Sequence, residues 1–380
     1  MKKKMLFMTL FLVTAVTSFQ KIIAMRNLIG LFFLSVALAA CTSAPRNEVL
    51  SYTDFPRTLE LKGRTLPLDT ALFRYPFRIR VQGDRAVVLD LHGEDCFCHA
   101  FSYPAFCPLS SFGRRGEAPG EQLSAENVRW SGDGLWILDS NKSELIRFGC
   151  ALSGDSLSRQ ESVNLDKDIL RALDFVAMDD STFIIPDYSG DSRFCLVNRQ
   201  GSLLHKLGGI PSSNEDALKN ARPALAQAWR SFIDYNSRNG VLAAVTQLGE
   251  VLEIYHLKDS TRTVCIGPHG EPEFKISQGY GIPTGIMGFS DVQVTDSAIY
   301  AVFHGRSFKE MAQNARQGIH VDGGQYIYVF SLKGEPLCSY VLDHFVNGIS
   351  VDEQQGIILA TDVNKDEPVI EYRPLHRLFR

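Results

Sequence analysis

A unit that recurs six times constrains this chain more than any other feature. Each copy is an apolar strand, a short polar turn, a second apolar strand that in four copies ends near Asp, another turn and a third strand. It reads FRIRVQGDRAVVLDLHGEDCFCHAF from Phe77, ENVRWSGDGLWILDSNKSELIRF from Glu126 and LDFVAMDDSTFIIPDYSGDSRFCLV from Leu173. Further copies start at Arg230, Ser290 and Asn347. Ile79, Val128, Phe175, Phe232, Val292 and Ile349 are equivalent positions, spaced by 49, 47, 57, 60 and 57 residues. One such unit cannot bury its own faces, so a period of this size means that copies stack on one another. Period-two alternation of Val, Ile, Phe and Tyr between Gly, Asp, Asn and Ser turns marks the strands as antiparallel and half-buried. A fourth strand follows in most units, at 108–113, 201–208, 262–267 and 335–342. The predicted fold is all-β, a six-bladed propeller of four-stranded antiparallel blades, in which radial repetition leaves only short, protected edges. The sixth unit runs out at VIEYRPLHRLFR. Arg57 to Gly63, RTLELKG, is therefore expected to supply its outer strand, so that an N-terminal strand closes the ring in the last blade.

This arrangement sorts the loops. Turns between first and second strands, such as QGD and SGDG, are all short. The long insertions are Gly209–Trp229 between blades 3 and 4, Pro268–Gly288 between blades 4 and 5, and Gly305–Gly324 inside blade 5. All three belong on one face, together with FGRRGEAPGEQ, Phe112 to Gln122, which joins blades 1 and 2. Long loops on a rigid scaffold are where binding residues concentrate. The ligand-binding candidates on this face are Arg114, Arg115, Glu121, Asp139, Asp187, His304 and Asp362. The two arginines offer planar, bidentate donors to a carboxylate or phosphate. The aspartates that end second strands have a structural alternative, since such a side chain accepts hydrogen bonds from amides two residues on. Gly113, Gly116 and Gly120 are expected to provide positive φ in a tight connection. A phosphate cradle is excluded, because a strand and not a helix follows the loop.

Catalytic signatures are sparse. The chain has no Gly-x-Ser-x-Gly, His-Glu-x-x-His or Walker sequence, and no catalytic residue is assigned. Cys96, Cys98 and His99 with Cys107 could hold zinc, but a strand puts Cys96 and Cys98 on one face with Cys107 on the next strand. A Cys98–Cys107 disulfide in an oxidising compartment, or packed thiols, is the better reading. His205, His256 and His269 are isolated in the sequence, and Trp130, Trp136 and Trp229 read as packing between blades.

The amino terminus carries an address. A charged start at Met25-Arg26, an apolar middle from Leu28 and small residues after it read as a secretory signal over residues 1–40. Residues 1–24, a second apolar run, are attributed to an upstream start codon. Leu38-Ala39-Ala40-Cys41 resembles a bacterial lipobox, which implies cleavage before Cys41 and lipidation on it, with several acyl chains needed for a stable anchor. Residues 41–55 then form a linker and 56–376 the propeller. Without the leader, 34 basic residues face 43 acidic ones, a net charge near −9 that argues against a nucleic-acid partner.

Six units, the lipobox and Phe112-Gly113-Arg114-Arg115-Gly116 followed by Pro119-Gly120-Glu121 together resemble the TolB-like, NHL-type six-bladed propeller lipoproteins of Bacteroidetes. The resemblance covers roughly 56–376 and implies a cell-envelope, outer-membrane lipoprotein. Its partners would be the membrane, through the anchor, and a ligand or envelope protein on the elaborated face, with no cofactor required. The periplasmic side is favoured, because the first acid after Cys41 comes only at Glu48. VNGISVD, Val346 to Asp352, also resembles a strand start in calcium-dependent six-bladed lactonases, where the Asn position binds metal at the channel mouth. Equivalent offsets yield Glu126 and Asn347 as oxygen ligands, with Asn127, Asp174 or Asp291 one step along. The alternative function is therefore a metal-dependent hydrolase, although calcium takes six to eight oxygens and this set is incomplete.

Overall fold

The computed structural model describes residues 47–68, 73–150 and 156–374. The leader and Cys41 lie outside these residues. Six sheets follow one another in the order of the six units. Blade 1 comprises Pro76–Gln82, Arg85–Asp90, Cys96–Ser102 and Pro108–Arg114, each antiparallel to the next. Blade 2 runs from Asn127–Ser131 to an outer strand at Leu157–Asn164, and blade 3 from Val176–Ala177 to Leu203–Leu207. Blades 4, 5 and 6 begin at Ser231–Asn236, Phe289–Val294 and Gly348–Asp352. The six equivalent apolar positions all sit at or beside the innermost strand, and none is more than 4% exposed. Branched and aromatic side chains alternate from these strands into neighbouring blades, so the core is a series of clusters between sheets.

The N-terminal segment closes the ring, though over a wider span than the sequence suggests. Arg64–Thr65 pairs antiparallel with Val369–Tyr372 and forms the outer strand of blade 6. Thr58–Leu61, expected in that role, instead runs parallel to Pro336–Val346 as a fifth strand of blade 5. The reason is local. The outer strand of blade 5 is eleven residues long and offers a free edge to Leu59 and Leu61. Gly63 then lets the chain pass to blade 6, at a point where a Cβ would stand 2.3 Å from Ile370. Asn47–Ser51, within the expected linker, likewise adds parallel to Thr261–Ile266 of blade 4. The arm therefore dresses three consecutive blades.

The centre of the ring holds paired charges beside a small pocket of about 160 Å³ that the inner strands of all six blades line. Arg80 donates to both carboxylate oxygens of Asp291 at 2.9 Å, and Arg78 lies 3.4 Å from the same group. Arg129 bridges Asp174 at 3.2 Å and Asp234 at 2.7 Å. Each of these aspartates also accepts a backbone N–H from the inner strand of the following blade: Ile233 to Asp174, Val294 to Asp234 and Ile349 to Asp291. Burial disfavours a charged Asp291, yet Arg78 and Arg80 hold its carboxyl below the usual range. Buried charges tolerate this only when paired and fully hydrogen-bonded. The network supplies specificity of register between blades.

Candidate ligand-binding site

The three long insertions meet on one face. Gly209–Trp229 carries helices at Glu215–Asn220 and Arg222–Ala228, Pro268–Gly288 a hairpin of Phe274–Ser277 and Tyr280–Pro283, and Gly305–Gly324 a helix at Phe308–Arg316. Ser212 and Ser213 of the first donate to Glu271 of the second, and Gln227 accepts from the Gly281 amide. Met287 and Gly285 of the second bond the backbone of Arg306 and Phe308 in the third. Ser307 caps the last helix by accepting from the Glu310 amide, as a helix start requires.

Beneath that helix opens a cavity of about 1110 Å³, slightly above the roughly 300–1,000 Å³ of ordinary ligand sites. Its apolar wall is Phe303, Tyr326, Tyr328 and Phe345, with Met287 and Met311. Phe303 and Tyr328 stack with centroids 4.7 Å apart. Tyr75, from the connection into blade 1, donates to Asp322. The Arg306 guanidinium donates to the carbonyls of Val321 and Gly323 and lies 5.3 Å from the Phe345 ring. Burial lowers its affinity for the proton.

Three histidines complete the wall, of which His320 is exposed. His304, at the end of the second strand of blade 5, is 6% exposed, and neither ring nitrogen has a partner. Burial pushes its pKa down to about 4, so the ring is neutral at physiological pH. His269 holds its Nδ1 2.6 Å from Glu250, whose other oxygen accepts from Tyr52 of the N-terminal arm. Glu250 is itself buried. Facing a carboxylate, Nδ1 carries a proton and donates to it, which commits that nitrogen and leaves Nε2 for another partner. His269 looked isolated in sequence because its partner lies nineteen residues away across a blade edge.

Among the seven ligand candidates, only His304 lines this cavity. Arg114 pairs with Glu121 at 3.2 Å, and Arg115 donates to the Gly93 carbonyl and lies over Phe97. Their loop folds on itself through a bridge from Arg115 to Gln122, with Gly113 and Gly120 at φ 69° and 90°. Asp139 accepts from the amides of Leu123, Asn141 and Lys142 and from Ser124. Asp187 does the same with Ser189 and Ser192 and pairs with Lys206. Asp362 orients His344 and Asn364, and Asn364 reaches the cavity rim. These aspartates organise their own turns.

The disulfide expectation is corrected. Cys98 and Cys107 are both free; Cys98 stands opposite Phe112, whereas Cys107 faces Ser102 at the far end of the hairpin. The calcium expectation also lacks its ligands. Asp174 and Asp291 are committed to arginines, Glu126 accepts from Ser140, and Asn347 gives its backbone carbonyl to Arg78 while its buried side-chain Oδ1 stands alone without a partner. Among the described residues no three His, Cys, Asp or Glu side chains converge to hold a metal. Guanidinium groups fill the place a cation would need, so the residues do not fit calcium.

The sequence profile of the TolB-like 6-blade propeller-like family matches residues 54–354. This chain belongs to that family. No curated protein matches it. Solved structures similar to this TolB-like propeller include a Bacteroides fragilis protein described as exported, at TM-score 0.53 and 9% identity, covering 86% of this chain and 99% of that one. A member of the DUF4221 family from Bacteroides vulgatus is similar at TM-score 0.51 and 9% identity, over 82% and 95% of the two chains. At such identities the likeness is one of fold, and function is argued from the TolB-like propeller's own site.

Proposed function

We propose that this propeller is an exported, envelope-attached protein that binds a small ligand in the cavity of its elaborated face. One observation carries the reading: His304 is buried in the cavity wall with both ring nitrogens unsatisfied. Leaving such a group without a partner costs about 1–3 kcal/mol, which a bound ligand would recover. Export and anchoring rest on the signal-like leader, the lipobox at Cys41 and the fold shared with an exported Bacteroides protein. Among the described residues no helix is long and apolar enough to cross a membrane; the attachment proposed is the acyl anchor on Cys41.

Retention decides the matter. Purified protein is incubated with a small-molecule extract of the cells, desalted and denatured, and the released compounds are identified by mass spectrometry. Wild type should retain a compound that His304→Leu does not, at a melting temperature of the variant no lower than that of wild type. Equal retention by both proteins, or none by either, would refute the reading. In parallel, Cys41→Ser should move the protein from the membrane to the soluble fraction.

A further inference from the structure

The cavity's polar groups narrow the chemistry of what it holds. A neutral imidazole offers one N–H and one lone pair, so His304 is satisfied only by a ligand that both donates and accepts. A carboxylate or phosphate accepts only, and an ammonium donates only. His269 adds a second imidazole from another loop, its Nδ1 committed to Glu250. Two charged groups of the wall are already engaged, Arg306 with two carbonyls and Asp322 with Tyr75 and the Gly323 amide, while Glu310 stands exposed on the helix. The remaining polar side chains sit at separate points around the rim, with Asn314 on the helix, His320 after it, Gln325 on the third strand of blade 5 and Asn364 from blade 6. A nucleobase presents hydrogen-bonding groups along an edge and a peptide along a line, but this rim asks for them all round the perimeter. Between these points lie aromatic rings, which take the C–H face of a ring.

We infer that the cavity takes a neutral polyhydroxylated ring, a mono- or oligosaccharide, seated against Phe303, Tyr326 and Phe345 with hydroxyls on His269 and His304. This rests on the cavity reading above. Hydroxyls donate and accept, so each can satisfy either imidazole without a change of charge.

The test is calorimetric titration of the purified propeller at pH 7.5 with maltose, lactose and N-acetylglucosamine, against galacturonate and spermidine as charged probes. A neutral sugar should bind saturably, weaken by about tenfold or more in His304→Leu and His269→Leu, and recover in part in His304→Asn, which keeps a donor and an acceptor. Should a variant fail to fold, Met311→Trp in the otherwise unaltered protein reports instead, its emission shifting with the sugar that binds. Binding of galacturonate or spermidine without any neutral sugar overturns the assignment while leaving the cavity reading intact. Binding of none of the five also overturns it, and the retention experiment then judges the cavity separately.

Discussion

His304 ends the second strand of blade 5, where four other blades place an aspartate. Those aspartates are surrounded by amides; His304 meets none, because the chain leaves for a twenty-residue insertion instead of a tight turn. Burial lowers its pKa from 6.5 to about 4, with Arg306 and Arg78 adding to the effect and Asp322 opposing it. Between those values the unfolded chain takes up a proton that the folded one refuses. The stability tied to the neutral ring is therefore complete above about pH 6.5 and is lost as pH falls towards 4, by up to about 3 kcal/mol. Urea unfolding from pH 7 to 4.5 should show wild type losing stability more steeply than His304→Asn, and parallel profiles would count against the assignment. At this scale the sequence was only partly legible. Asp139 and Asp187 could be read as turn aspartates from position alone, since the bonds they accept are mostly within a few residues. The Glu250–His269 pair forms across the open end of one blade 4 hairpin, and the arginine–aspartate centre joins blades that only the closed ring brings together.

The insertion Gly305–Gly324 is the element on which the site depends. Its helix, Phe308–Arg316, buries no residue, so it contributes little to the core. Replacing Lys309–Arg316 by a Gly/Ser segment of equal length should shift stability by no more than about 1 kcal/mol while abolishing ligand retention. Equal retention would mean that the helix is not part of the site. The strands were the most legible elements, because alternation of apolar and polar residues is a local signal and the six equivalent positions all reached the inner strands. Partner choice was not local. Leu59 and Leu61 declared a strand, but nothing in a four-residue pattern says that it would lie parallel to blade 5 and leave blade 6 to Arg64–Thr65.

For the molecule as a whole, closure by the N-terminal arm replaces what a covalent ring would do. Three of six blades have their outer edges covered by Asn47–Thr65, and Tyr52 and Leu61 are buried by it. A chain beginning at Leu66 should lose about 3–6 kcal/mol from those two side chains alone, and should associate through the bared strands. Denaturant unfolding with sedimentation analysis checks both; a monomer of unchanged stability would show that the arm is ornamental. The number of blades and the common side of the insertions were readable from the repeat, since a closed circle fixes where each loop emerges. The cavity was not, because its wall is assembled from blades 4, 5, 6 and the entry to blade 1.

Salt-linked side chains stand in the axle of this wheel, and none of them lines the cavity. A guest must leave by the doorway through which it came, and how long it stays is governed by the segment that overhangs that doorway, not by any route along the hub.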